Sequence, residues 1–140
     1  MAYADNTTGG RVIAQGIMPV KITLAEACEV GDLLGSNSGW YRALATTPTC
    51  IEARLVAGQR GASGDVITAY GMAAVEGVTG ATPGSEVYLA EAALYGETTQ
   101  TQPSTTGDVN NPIGFAYSDT GIWLFPGVTP AYSDADHRAA

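Results

Sequence analysis

One histidine, His137, two cysteines, Cys28 and Cys50, and one lysine, Lys21, are the most reactive side chains in this 140-residue sequence. Nucleophilic catalysis needs a serine or cysteine held beside a base, most often histidine. His137 lies in the segment AYSDADHRAA (131–140), too polar to fix a geometry, and is read as a solvated side chain. Neither Ser36 nor Ser63 stands in a G-x-S-x-G elbow. The cysteines are too far apart for a redox motif and too few for a zinc site. Two buried thiols are the expectation for a cytoplasmic product, with pairing left to whether neighbouring strands bring them together. A swinging-arm carrier needs a lysine at a hairpin tip, whereas Lys21 sits between Val20 and Ile22 in a strand pattern.

The glycine-rich segment GQRGASGD (58–65) lacks the Lys-Ser/Thr of a phosphate loop and joins two expected strands, not a strand and a helix. Asp32, Asp65, Glu86, Asp108 and Asp119 each stand in or beside a turn, where a carboxylate bonds the local backbone. They are read as solvated turn acids. A calcium site built from two such loops is the alternative, although no EF-hand spacing is present. No catalytic, cofactor-binding or metal-ligating residue is assigned.

The elements that carry these residues look like short strands. Eighteen glycines, abundant Thr and Ala, and few Leu or Lys make a poor recipe for helices and a fair one for an all-β domain. The net charge of −8, with 14 acids against 6 bases, argues against nucleic acid and anionic membranes as partners. The N-terminal MAYADNTTGG lacks the layout of a signal peptide, and no apolar run reaches the ~20 residues of a membrane span. The expectation is a soluble protein made in the cytoplasm, in which the sequon Asn6-Thr7-Thr8 is a chance match.

Along the chain, residues 1–10 form a polar arm expected to order only against a partner, a plain disordered start being the alternative. Arg11–Ile17 and Met18–Leu24 alternate as two strands, with Pro19 marking an edge. Ala25–Cys28 suits a single helical turn. Leu33–Ser36 and Trp40–Ala45 form a hairpin about Asn37-Ser38-Gly39. Cys50–Ala57 is ambiguous between helix and strand by pattern, with strand favoured. Val66–Val75 is a longer strand in which Gly71 marks a bulge or a close approach. Glu86–Leu89 is another strand, Thr98–Thr106 an exposed polar connection, and Ile113–Tyr117 with Ile122–Phe125 a hairpin. Trp40, Tyr41, Tyr88, Tyr95, Phe115, Tyr117, Trp123 and Phe125 are expected mainly in the core, a surface row being the alternative.

Three stretches carry a resemblance. They are Thr82-Pro83-Gly84-Ser85-Glu86-Val87-Tyr88-Leu89, then Thr98, Thr99, Pro103 and Gly107-Asp108, then Pro112-Ile113-Gly114-Phe115-Ala116-Tyr117-Ser118. With Val30-Gly31-Asp32 and Gly71-Met72-Ala73 upstream, this order resembles the capsid decoration, or cement, proteins of tailed bacteriophages. The likeness runs from Val12 to Phe125.

The resemblance implies a small antiparallel β-barrel or β-tulip domain spanning 11–130, with a flexible arm (1–10) and a flexible C-terminal tail (131–140). It implies a structural role with no catalysis. The protein would bind the major capsid protein on the exterior of the virion, stabilise the shell, and assemble as a homo-oligomer, often a trimer. Tyr3, Asn6, Thr7, Thr8 and Arg11 in and beside the arm are the candidate capsid or subunit contacts. The alternative function is a carbohydrate- or host-surface-binding head-fibre module using Trp40 and Tyr41.

Overall fold

The computed structural model describes residues 3–6, 10–46, 50–91 and 94–128. Nine strands follow in chain order: β1 (Val12–Thr23), β2 (Leu33–Ser36), β3 (Trp40–Arg42), β4 (Leu55–Ala57), β5 (Val66–Glu76), β6 (Glu86–Leu89), β7 (Thr98–Thr99), β8 (Gly114–Ala116) and β9 (Gly121–Leu124). A 3-10 turn, Pro126–Val128, follows them. The chain is all-β, as its composition predicts, and its antiparallel sheet curls into a half-barrel.

The organising strand is β5, which follows period-two burial along its length, Ile67, Ala69, Gly71, Ala73 and Val75 facing in. One edge pairs with the whole of β1, from Thr23 opposite Val66 to Val12 opposite Glu76. The other edge is shared: β4 takes the first half, with Val56 opposite Tyr70, and β9 the second, with Ala73 opposite Leu124. Two arms leave β5 from there, β4-β2-β3 and β9-β8-β6-β7. Backbone bonds tie them together beyond the sheet: Leu33 N donates to Gly96 O at 2.9 Å, Gly96 N to Ala43 O at 2.8 Å, and Ala45 N to Ala90 O at 3.1 Å.

Two clusters of aliphatic side chains fill the fold. The larger holds Leu33, Val56, Val75, Val87, Leu89, Ile122 and Leu124, and the smaller Ile22, Leu24, Leu34, Ala57, Ile67 and Ala69. Neighbours in sequence fall on opposite sides, Leu33 and Val56 in the first cluster, Leu34 and Ala57 in the second. This is the alternation a strand imposes when both faces of a sheet are covered. The aromatics do not form this core. Tyr88 is buried, but Tyr95, Phe115 and Tyr117 are exposed.

Several local expectations change. Arg11–Ile17 and Met18–Leu24 merge into the single strand β1, which absorbs an irregularity between Ile13 and Gln15 and a positive φ of 61° at Met18. Pro19 lies on this edge strand, where its missing N–H costs least. Ala25–Cys28 makes no helical turn, because Cys28 pairs with Gly61 through two backbone bonds of 2.9 and 3.1 Å. In Cys50–Ala57 only Leu55–Ala57 is strand, with Ile51 bridged to Leu44. The Thr98–Thr106 connection begins as β7 and buries Thr98 and Pro103. Gly71 is a close approach: a Cβ there would lie 3.2–3.3 Å from Met18, and Gly127 of the 3-10 turn packs on its backbone.

Candidate interaction surface

The hairpin of β8 and β9 sets out the most distinctive surface of the molecule. In β8 the order is Gly114 buried, Phe115 exposed, Ala116 buried, and in β9 Trp123 is half-buried between buried Ile122 and Leu124. The register carries this alternation across five strands. Glu86 stands opposite Phe115, Phe115 opposite Trp123, Trp123 opposite Ala74, and Ala74 opposite Gln15. The adjacent row, Val87, Gly114, Leu124, Ala73 and Gly16, belongs to the other face, and its Val87, Leu124 and Ala73 sit in the larger cluster.

Phe125 extends the aromatic face, its ring centroid 6.5 Å from that of Phe115 and tilted by 51°. Tyr117 adds a second exposed aromatic at the hairpin end, 44% exposed against 40% for Phe115. The hairpin closes tightly over Gly121, where a Cβ would lie 2.3 Å from Glu76 Oε2 and 2.5 Å from the Tyr117 ring.

Charge is sparse here and local. Glu76 accepts hydrogen bonds from the Tyr117 hydroxyl and from Thr120 Oγ1 at 3.2 Å, and Glu86 accepts one from Tyr88 at 3.0 Å. Burial and the Glu76 carboxylate push the Tyr117 hydroxyl up to about 12, so it stays a protonated donor. The arrangement suits adhesion through aromatic and apolar area with a few fixed polar anchors.

The candidate contact residues of the N-terminal arm lie elsewhere. Tyr3–Asn6 fold back on the domain, with Ala4 bridged to Thr79. The Tyr3 hydroxyl shares a hydrogen bond with Thr98 Oγ1, and Asn6 donates to Gly77 O. Arg11 is buried between two carboxylates, Asp5 at 3.0 Å and Asp32. Asp5 in turn accepts from Thr98 N and Oγ1, both at 2.7 Å, and Asp32 from Glu29 N at 2.9 Å. Burial raises the Asp32 carboxyl against the opposing pull of Arg11, and raises the Tyr3 hydroxyl. An arm that orders only on a partner is thus replaced, over Tyr3–Asn6, by a strap bound to its own domain. Thr7, Thr8, His137 and the segment 131–140 lie outside the described residues. Asp5 gives no signal in the sequence, because a lone acid six residues before an arginine carries no pattern.

Cys28 and Cys50 are not joined by a disulfide, and the Cys50 Sγ donates to Ala45 O at 3.3 Å. Burial pushes Cys28 up to about 11, and its Sγ rests 3.6 Å from Gln59 O in the wall of a small cavity of about 140 Å³ lined also by Ala27, Glu29, Asp32 and Arg42. Asp65 caps its own turn through Ala62 N at 2.9 Å. Among the described residues no group of three or more His, Cys, Asp or Glu is placed to hold a metal. Trp40 and Tyr41 are consecutive in β3, so they point to opposite faces and make no shared platform; Trp40 packs on the smaller cluster. Among the described residues no helix is long and apolar enough to cross a membrane.

Comparison with protein-family models, with curated proteins and with solved structures finds no match to this chain.

Proposed function

We propose that this chain is a structural virion protein that binds the outer surface of a tailed-phage capsid, seats Phe115, Tyr117, Trp123 and Phe125 against the major capsid protein, and cements the shell without catalysis. The carrying observation is the aromatic face, an outward row held rigidly by a five-strand register. Aromatic anchors on a sparsely charged patch are what a protein interface concentrates. The resemblance of Pro83–Leu89 and Pro112–Ser118 to decoration proteins supports the same reading, and the Pro112–Ser118 stretch contains β8 itself.

Each copy needs only modest affinity, since many copies on one lattice, assembled as homo-oligomers, sum through multivalency. The net charge of −8 fits an exterior position away from packaged nucleic acid. Co-sedimentation of the purified protein with empty, expanded tailed-phage heads tests the reading. Saturable binding at a fixed number of copies per capsomer is the expected result, and absence of binding across a panel of such heads overturns it.

A further inference from the structure

We infer that β1 is a self-association strip, the surface on which a second copy of this chain packs. It rests on the homo-oligomer part of the proposed function and not on shell binding.

β1 is a twelve-residue strand that pairs with β5 and no other named strand. Among the described residues no backbone bond reaches its outer edge. Apart from Ile22 and Ile13, which pack on the two clusters, its side chains stand clear of the half-barrel. Ile22 and Ile67, opposite each other, are 8% and 2% exposed, but the same face of β1 then opens: Val20, opposite fully buried Ala69, is 44% exposed, and Met18 is 50% exposed. On the reverse face Ile17 and Val66 are 36% and 62% exposed, and Val12 reaches 58%. A core row that is sealed on β5 and bare on its partner strand is an incomplete packing layer.

Charge selects the occupant. The chain carries 14 acids and 6 bases, so copies repel over most of their surface. Val12–Thr23 contains no carboxylate and a single charge, Lys21, so like copies meet there without opposing acids. Area sets the strength. The five exposed side chains divide between the two faces of the sheet, Met18 and Val20 on the inner face and Val12, Ile17 and Val66 on the outer, so a single contact covers one set only. Two copies of the Met18 and Val20 set bury far less than the ~1,200–2,000 Å² of stable specific interfaces, so the contact is weak and concentration-dependent. Pro19, the positive φ of Met18 and the irregularity at Ile13/Gln15 interrupt the edge, and block indiscriminate strand addition. Side-chain packing around Met18 and Val20 therefore carries the contact.

Sedimentation velocity of the full chain, free of capsids, from about 1 to 100 μM reads the association directly. The wild type is expected to assemble over this range, and Val20→Glu to shift the midpoint at least tenfold upward with an unchanged circular-dichroism spectrum. Hydrogen exchange on the unmutated protein is the second readout. Amides of Gly16–Lys21 should gain protection as concentration rises. A wild type that stays monomeric with concentration-independent exchange in β1 overturns the inference. So does a truncation after Val128 that raises β1 exchange in the monomer, which would make residues 129–140 the occupant. A monomer that still binds heads contradicts this inference and the homo-oligomer part of the proposed function but leaves shell binding standing, whereas a self-associating protein that ignores heads contradicts shell binding alone.

Discussion

Asp5 and Arg11, six residues apart, form a charge pair sealed inside the domain, Oδ1 and Nη1 3.0 Å apart and the side chains 0% and 1% exposed. Asp5 also accepts two hydrogen bonds from Thr98, so one carboxylate pins the N-terminal strap to β7. Removing it strands part of a buried guanidinium. Asp5→Ala should lower stability by about 3 kcal/mol, the lower end for breaking a buried pair because Asp32 remains. Urea unfolding midpoints at constant m-value give the number. Deleting residues 1–10 should destabilise the domain as a whole, so lost capsid binding by that deletion variant must be compared with its fold.

Acid should strengthen the fold down to mildly acidic pH. The carboxyls of Asp32, Glu91 and Glu97 are raised, Asp32 and Glu97 mainly by burial and Glu91 mainly by its hydrogen bond with Asp108. A raised carboxyl binds its proton more tightly folded than unfolded, so its contribution is present at low pH and is lost as pH rises through the folded value. Glu26, held down by Arg42 despite its partial burial, acts in the opposite sense, losing its contribution as pH falls. Among the described carboxyls, Asp32, Glu91 and Glu97 are raised and Glu26 is lowered, and the charge of −8 relaxes as acids protonate, so Tm should rise as pH falls from neutrality toward the carboxylate range. Glu91→Gln should flatten part of that slope; a Tm that falls steadily from pH 8 to pH 5 would go against the assignment.

The aromatic row depends on how closely β8 approaches β9. A Cβ on Gly114 would sit 2.2 Å from the carbonyl oxygen of Trp123, a backbone atom in the ladder. Gly114→Ala should therefore cost about 1–3 kcal/mol through overpacking. It should also weaken amide protection in Phe115 and Trp123 more than in β2 or β4. Hydrogen exchange read strand by strand makes the comparison.

Cys28 should resist alkylation. Its thiol is buried and pushed up to about 11, so little thiolate exists at neutral pH. Iodoacetamide at pH 7.5 should label Cys28 in the native protein at least tenfold more slowly than in urea, and intact mass should show both thiols reduced.

Much of the fold is legible in the sequence because strand alternation and turn residues are local signals. The β2–β3 hairpin, the long β5, β6 and the β8–β9 hairpin all lie where period-two patterning and glycine-containing turns place them. Gly71 stands out as a breaker within an apolar run, and the close approach of Met18 and Gly127 explains it. What local pattern misses is what distant segments do to one another. The strap of Tyr3–Asn6 looks too polar to fold, since its partners, Thr79, Gly77 and Thr98, are more than 70 residues away. Phe115 and Trp123 look like core because aromatic residues in strands usually are. Which face they occupy is decided by register, with Gly114, Ala116, Ile122 and Leu124 taking the inner rows. The fusion of two expected strands into β1 escapes notice because a strand is expected to break near Pro19, whereas β1 runs on through Pro19, the positive φ of Met18 and the irregularity at Ile13/Gln15.

The account stands or falls on whether the aromatic face touches the shell, and Phe115→Glu measures that most directly. Phe115 is exposed and outside both clusters, so the variant should keep its fold, with Tm lowered modestly by the lost Phe125 contact and by the Glu86 carboxylate opposite. Placing a carboxylate in the centre of the contact should reduce co-sedimentation with expanded heads at least a hundredfold. Wild-type binding by a folded Phe115→Glu protein would contradict the claim.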